Sequence, residues 1–331
     1  MTKASTETPV SKLFLSCDLT GSTAFKQRPN PDPKTPWQKV FLQFYREFPQ
    51  QVYKQQTALG FTALGFKIWK AVGDELIFTC DVKSEVDVHQ AIEVWIATLR
   101  AFKCDNLDGH PQLGVKGGAF IGTFPAPDYE STIPLEPDIE VSDKDVVLLN
   151  RKALSGRRAT TKYLYDYFGP SIDTGFRVLS KCSDRYMTLS LEVAYALAVL
   201  QETPTRDGTQ YEHPDLMLLD SIELKGVWGG RDYPLFCIDL AHDDEVNKAF
   251  RDFQYRVTTQ QIRKLCQACY ESDGWPFCIY LPDAQSDHFG STKDDLLGEY
   301  LKTATTEYSG MEEQAEDAPD ASGLRENPPL E

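Results

Sequence analysis

The sequence predicts an α+β fold, an antiparallel sheet with helices packed on it, and three observations carry that expectation. Apolar runs bounded by turn signals mark strands near residues 12–18, 66–80 and 112–124. Two stretches between them, starting near residues 37 and 84, carry apolar residues at helical spacing. The order is therefore strand, helix, strand, hairpin strand, helix, strand. With 331 residues and 41% hydrophobic content, the chain can bury a substantial core around such a sheet.

The first strand lies in KLFLSCDLTGSTAFKQ, residues 12–27. Leu13, Phe14 and Leu15 read as buried, and the strand is expected to break at Asp18, because a charge leaving the core needs a partner. Thr20, Gly21, Ser22 and Thr23 follow, small residues whose amides can turn toward an anion. A carboxylate beside such a turn suggests a divalent metal bridging protein and nucleotide. The plain alternative is a strand ending in an Asx or Ser/Thr turn.

Pro29, Pro31, Pro33 and Pro36 make a non-helical connection, and Pro36 suits the first helical position. Trp37, Val40, Phe41, Phe44, Phe48 and Val52 give the helix one apolar face, and Gly60 closes it. In FKIWKAVGDELIFTC, Gly73-Asp74 suits a tight hairpin and places Asp74 at its tip, where it can converge with Asp18. Glu75 is expected to face the opposite way and is not counted as a ligand. A second helix carries Val88, Ala91, Ile92, Trp95, Ile96 and Leu99, and a glycine-bearing strand follows. The element order resembles the ferredoxin-like split βαβ arrangement.

Residues 125–145, rich in proline and acidic side chains, read as an inserted surface loop. Lys152, Arg157, Arg158 and Lys162 form a basic stretch whose default is a solvated face. In DYFGPSIDTGFRVLSKC, residues 166–182, Asp173 and Arg177 share a helix face. A strand at 186–191, a helix at 191–200, a hairpin at 222–240 and a helical stretch at 243–272 follow. The acidic tail from 307 lacks apolar periodicity and is expected to be disordered. The expected organisation is one catalytic domain over residues 1–240 with an insert at about 125–165, a helical extension over 241–306, and the tail over 307–331.

A formal net charge of −16 argues against non-specific nucleic-acid or anionic-membrane binding, while leaving room for a local basic pocket. Residues 1–11 are polar and no stretch approaches about 18 uninterrupted apolar residues, so a cytoplasmic protein without a membrane partner is expected. Eight scattered cysteines point to reduced thiols. Cys266 and Cys269, a CxxC in helical sequence, read as core rather than as zinc ligands, and the five histidines lack metal-ligand spacing.

LSCDLTGST and KAVGDELIF together, in this order and with helical sequence between them, resemble the two metal-binding signatures of class III nucleotidyl cyclases. The resemblance covers about residues 12–240. It implies two Mg²⁺ or Mn²⁺ ions per active site, held by Asp18 and Asp74 with the Leu19 carbonyl as a further ligand. It also implies that the amides of Gly21, Ser22 and Thr23 hold the β- and γ-phosphates. The family assembles its sites in a head-to-tail dimer, which here implies a homodimer, with the aspartates from one subunit and an Arg-bearing helix from the other.

That helix carries a pattern like GxxxNxxxR in the family. Gly169, Asp173 and Arg177 fit the spacing, but Asp stands where the family has Asn. An ionised Asp only accepts hydrogen bonds, so Asp173 either accepts from a ribose hydroxyl or pairs with Arg177. Arg177 suits charge developing on the α-phosphate and the leaving pyrophosphate. In the terminal hairpin, Lys225 is assigned to the triphosphate, with Arg231 as its rival.

Lys70 and Asp166 stand at or near base-reading positions of adenylate-forming members, which taken literally favours ATP. The stand-alone layout, VGDELIF and GPSIDTGFR are more similar to the bacterial pyrimidine cyclases of the Pycsar antiphage systems. That likeness implies UTP, with CTP as the neighbouring choice, and a cyclic product read by a separate effector protein. Trp69, Tyr45 and Tyr53 are the candidates for excluding a purine. An adenylate cyclase and a catalytically silent nucleotide sensor are the alternatives.

Overall fold

In the computed structural model, residues 8–28, 36–136, 138, 140–141, 144–155, 157–205, 208–212, 215–253 and 257–305 are described. The connection at residues 29–35 and the tail from 307 lie outside them. The central strand, β1 (Val10–Thr20), is buried on both faces. Leu13, Leu15, Cys17 and Leu19 enter the main core, whereas Phe14 on the other face joins Phe120, Ile172 and Leu179. Burial on two sides is why residues 13–15 form an uninterrupted apolar run rather than an alternating one.

After the short α1 (Ser22–Lys26), α2 (Trp37–Ala58) presents Val40, Phe41, Phe44, Phe48 and Val52 to the core. The hairpin strands β2 (Lys67–Val72) and β3 (Glu75–Val82) follow. Ser84 then caps α3 (Glu85–Asn106) through a capping box with Asp87. Next comes β4 (Gly114–Phe124). The strands lie in the order β2-β3-β1-β4, each pair antiparallel, which is the expected split βαβ arrangement.

The sheet continues from β4 through β7 (Tyr186–Leu189) and β9 (Asp232–Asp239) to β8 (Leu216–Glu223), making seven strands. The β4–β7 pair is parallel; the other pairs are antiparallel. Between β7 and β8, α6 (Leu191–Glu202) is buried from Leu191 to Leu200. After α7 (Glu245–Phe253), α8 (Thr259–Tyr270) buries Ile262, Cys266 and Cys269 in the main core. The CxxC is thus core packing, as expected. Beyond α8, Trp275, Phe277, Ile279, Leu281 and Phe289 complete that core, and the Tyr280 amide donates to Ser11 Oγ at 3.0 Å.

The described chain forms two units. The larger comprises residues 8–130 and 167–294, and the smaller residues 131–166 and 295–305. Two further strands, β5 (Tyr129–Pro134) and β6 (Tyr163–Phe168), pair with each other. Residues 125–145 are therefore not wholly loop; the prolines before Tyr129 mask a strand whose partner lies 30 residues on. In the smaller unit Asp145 caps α4 (Val146–Leu154), accepting from the Val147 amide and from the Tyr300 hydroxyl. Lys152 is exposed, and Arg158 stacks on Tyr165.

Glu192, in the first turn of α6, is 2% exposed, and burial pushes its carboxyl up to about 7. The folded chain binds that proton more tightly than the unfolded one. Its contribution to stability is complete below the ordinary value of 4.5 and is lost as pH rises through about 7. The melting temperature is therefore expected to fall by roughly 3–6 °C between about pH 5 and 8. Glu192→Gln should flatten that decline in thermal melts; an unchanged slope would assign it to other groups.

Candidate active site

Asp18 lies directly opposite Glu75 on β3 and Lys116 on β4. Directly opposed residues share a sheet face, so these three form one row across the central strands. The strand does not break at Asp18, contrary to the expectation from its charge, but runs on to Thr20. The reason is cross-strand pairing: Lys116 Nζ stands 3.0 Å from Asp18 Oδ2. Burial raises the Asp18 carboxyl above its ordinary value, Lys116 opposes the rise, and Asp74 adds to it by repulsion.

Glu75 is on the Asp18 face, contrary to expectation. Strand alternation cannot be counted from Asp74, because Asp74 belongs to the turn and β3 begins at Glu75. Burial raises the Glu75 carboxyl; a hydrogen bond from Ser16 opposes this, and Asp18 and Asp74 add repulsion.

Asp74 is drawn to the end of β1 by its main chain. The Leu19 amide donates to the Asp74 carbonyl at 3.3 Å, and the Tyr45 hydroxyl on α2 donates to the carbonyl of Gly73. Lys26 Nζ lies 3.8 Å from the Asp74 carboxylate and over the Phe41 ring. Tyr45 thus holds the hairpin, while Tyr53 is 71% exposed.

Gly21, at φ 75°, makes the turn from β1 into α1; a Cβ there would meet the Gln112 carbonyl at 2.2 Å. The amides of Ser22 and Thr23 consequently lie in the first turn of α1. Leu19 is buried between these features.

A cleft of about 170 Å³ opens over the charged row. Ser16, Asp18, Glu75 and Lys116 line it from the sheet, and Phe176, Leu179, Ser180 and Cys182 from α5 (Pro170–Leu179) and the residues after it. The helix approaches β4 closely because residue 175 is glycine; a Cβ would lie 2.3 Å from the Phe120 ring. Its N-terminus is fixed by buried Asp128, which accepts from the Ser171 amide at 2.9 Å and the Thr123 amide at 3.1 Å.

Asp173 and Arg177 are not among the residues that line the cleft, although they lie next to Phe176 and Ser180 on the exposed face of α5. Arg177 Nη1 donates to the Asp173 carbonyl, an i,i+4 contact made to the main chain. Lys70 Nζ sits 4.0 Å from the Trp69 ring centre, and Trp69 packs on Phe14 and Phe176. Lys225 is exposed in the β8–β9 connection, where Arg231 stacks on Trp228. Asp166 belongs to the smaller unit, where its carbonyl accepts from Ser131 Oγ at 3.3 Å.

The structure thus gathers Asp18, Asp74 and Glu75, and adds Lys116 and Asp128, which sequence reasoning passed over. Lys116 had a readable signal: it is a lone charge in LGVKGGAFIG, an otherwise apolar and glycine-rich strand. The three carboxylates supply hard oxygen donors that suit Mg²⁺ or Mn²⁺, and their repulsion and partial burial favour a divalent cation. Among the described residues no group of three or more His, Cys, Asp or Glu is already disposed as a metal cage. Lysines neutralise Asp18 and Asp74 instead.

Loss of the Asp128 carboxylate leaves two buried amides without an acceptor. Asp128→Ala is expected to destabilise the fold by about 2–3 kcal/mol, and Asp128→Asn by less because one acceptor remains. Urea denaturation monitored by tryptophan fluorescence measures both.

No protein-family model matches the chain, and no curated protein matches it in sequence. Among solved structures, it is similar to the adenylyl cyclase CyaB from P. aeruginosa, at 14% identity over 70% of this chain and 94% of that one, with a TM-score of 0.45. It is similar to the guanylyl cyclase Cya2 at 13% identity, over 70% of this chain and 92% of that one, with a TM-score of 0.43. It is also similar to the guanylate cyclase domain of RhGC from Catenaria anguillulae in complex with GTP. That match has 10% identity over 70% of this chain and 98% of that one, with a TM-score of 0.44.

Proposed function

We propose that the chain is a metal-dependent nucleotidyl cyclase that turns over a pyrimidine nucleoside triphosphate, UTP in preference. The observation that carries this reading is the meeting of Asp18 and Asp74, from the two signature-like stretches, at adjacent ends of β1 and the β2–β3 hairpin beside an open cleft. In the reaction the ribose 3′-oxygen bonds to the α-phosphorus and the bond from that phosphorus to the bridging oxygen breaks. The hydroxyl proton is lost and pyrophosphate leaves. Held by Asp18, Asp74 and the Leu19 carbonyl, Mg²⁺ or Mn²⁺, two per site, would activate that hydroxyl and neutralise the departing charge.

The chain's own groups divide the remaining work. The amides of Gly21, Ser22 and Thr23 hold the β- and γ-phosphates, and Lys225 pairs with the triphosphate. Asp173 and Arg177, outside the lining of their own chain's cleft, serve the site of a second subunit in a head-to-tail homodimer. There Arg177 meets the charge on the α-phosphate, and Asp173 accepts from a ribose hydroxyl. Lys70 donates to a uracil carbonyl, Asp166 stands near the second base-reading position, and Trp69 restricts the volume for a second ring. The cyclic nucleotide would act as a second messenger in antiphage defence, read by a separate effector.

The decisive experiment offers ATP, GTP, CTP and UTP at equal concentration with Mg²⁺ or Mn²⁺ and identifies cyclic products by mass. Cyclic UMP is expected. Predominant cyclic AMP would restore the literal reading of Lys70 and Asp166, and absence of metal-dependent pyrophosphate release with all four would leave a silent sensor. Asp18→Asn and Asp74→Asn should each lower turnover at least about a hundredfold without loss of fold by circular dichroism. Near-full turnover in folded Asp18→Asn protein would sink the assignment.

Sharing of sites between subunits is tested by co-expression. Arg177→Ala and Asp74→Asn chains should each be inactive alone, while a heterodimer contains one site with both groups intact. Recovery of part of the activity in purified heterodimers is expected. No recovery would mean that each chain builds its own site.

A further inference from the structure

We propose that Lys116 is a built-in competitor for the cation at Asp18, so that metal enters only by displacing its ammonium group. The inference rests on the metal-site reading above. Lys116 is placed by β4, which is hydrogen-bonded between β1 and β7, and residue-by-residue register puts it opposite Asp18. The strand cannot swing it away; only rotation of the side chain can. Its Nζ stands 3.0 Å from Asp18 Oδ2, within hydrogen-bond distance of a ligand oxygen. Both side chains are about a quarter exposed, 28% and 26%, and the cleft above them is walled by Phe176 and Leu179. Screening is weaker there than on open surface, so the pair resists exchange with ions from bulk solvent.

A divalent ion on Asp18 would face the ammonium at contact distance, and like charges do not share one carboxylate edge without cost. Three carboxylates here balance against two ammonium groups, Lys116 and Lys26. Lys26 is the looser partner, 3.8 Å from Asp74 and carried by a five-residue helix. Lys116 is therefore the group that sets the affinity for free metal. Once displaced, its ammonium remains in the cleft, where an anionic ligand arriving with the metal can take it.

The experiment titrates Mn²⁺ alone into the full chain and into Lys116→Gln and Lys116→Met, reading free ion by its electron paramagnetic resonance signal. Met keeps the length of the stem beside Phe176 and Leu179, should Gln fail to fold. The expected result is Mn²⁺ binding at least about fivefold tighter in the folded variants, and abolished by adding Asp18→Asn. Equal or weaker binding in the variants overturns the inference and leaves the metal site standing. No Mn²⁺ binding by any of the proteins overturns both. In the unmodified chain, the ¹⁵N resonance of the Lys116 ammonium should shift on addition of Mg²⁺; its indifference at saturating Mg²⁺ also overturns the inference.

Discussion

Burial of β1 on both faces is the constraint from which the rest of the architecture follows. A strand with Leu13 and Leu15 on one side and Phe14 on the other needs a packed layer on each. α2, α3 and α6 supply the first layer. α5 supplies the second, and it covers only part of that face. Where its cover ends, Ser16 and Asp18 continue the face that Phe14 begins, and the strand runs out of the core still in register with β3 and β4. The charged row exists because the sheet outlasts the layer above it. Lys116 makes that overhang tolerable, since Asp18 meets its counter-charge across the strand instead of a bare apolar wall.

The position of α5 then decides what the cleft contains. Gly175 lets the helix lie against Phe120, and Asp128 fixes its first turn through main-chain amides. With both ends of the contact set, Phe176, Leu179 and Ser180 line the cleft over Asp18, while Asp173 and Arg177 lie outside its lining. The Arg177 guanidinium folds back along its own helix, donating to the Asp173 carbonyl rather than lining the cleft. Under the proposed function, a dimeric arrangement accounts for a geometry that would otherwise separate the two halves of one constellation.

Local pattern was legible in the sequence; register was not. The apolar run at residues 13–15, the Gly73-Asp74 turn and the two long amphipathic helices depend on near neighbours, and each lies where periodicity puts it. So does the burial of Cys266 and Cys269. What the sequence did not disclose depends on pairing between distant residues. The continuation of β1 past Asp18 requires Lys116, almost a hundred residues on, to fall opposite it. The face of Glu75 follows from where β3 starts relative to β1, not from alternation along its own strand. Asp128 lies in a proline-rich segment that resembles surface loop, yet it is fully buried because the first turn of α5 rests on it. A strand at Tyr129–Pro134 was hidden for the same reason: its partner is β6.

The electrostatics of the whole chain bear on how such a site can take a triphosphate at all. A formal net charge of −16 repels a polyanion at long range, and the three carboxylates add local repulsion. Free divalent cation is attracted by the same field, so the chain as a whole favours metal over nucleotide. Lys116 and Lys26 act against that preference at short range by satisfying two of the carboxylates. The compensation is local, fixed by strand register and a short helix, while the repulsion is global and screened by salt beyond about 8–10 Å. On the proposed function this division favours a triphosphate that arrives already complexed with metal. Such a complex carries less negative charge than the free nucleotide, and it brings phosphate oxygens for the ammonium groups that its cation displaces.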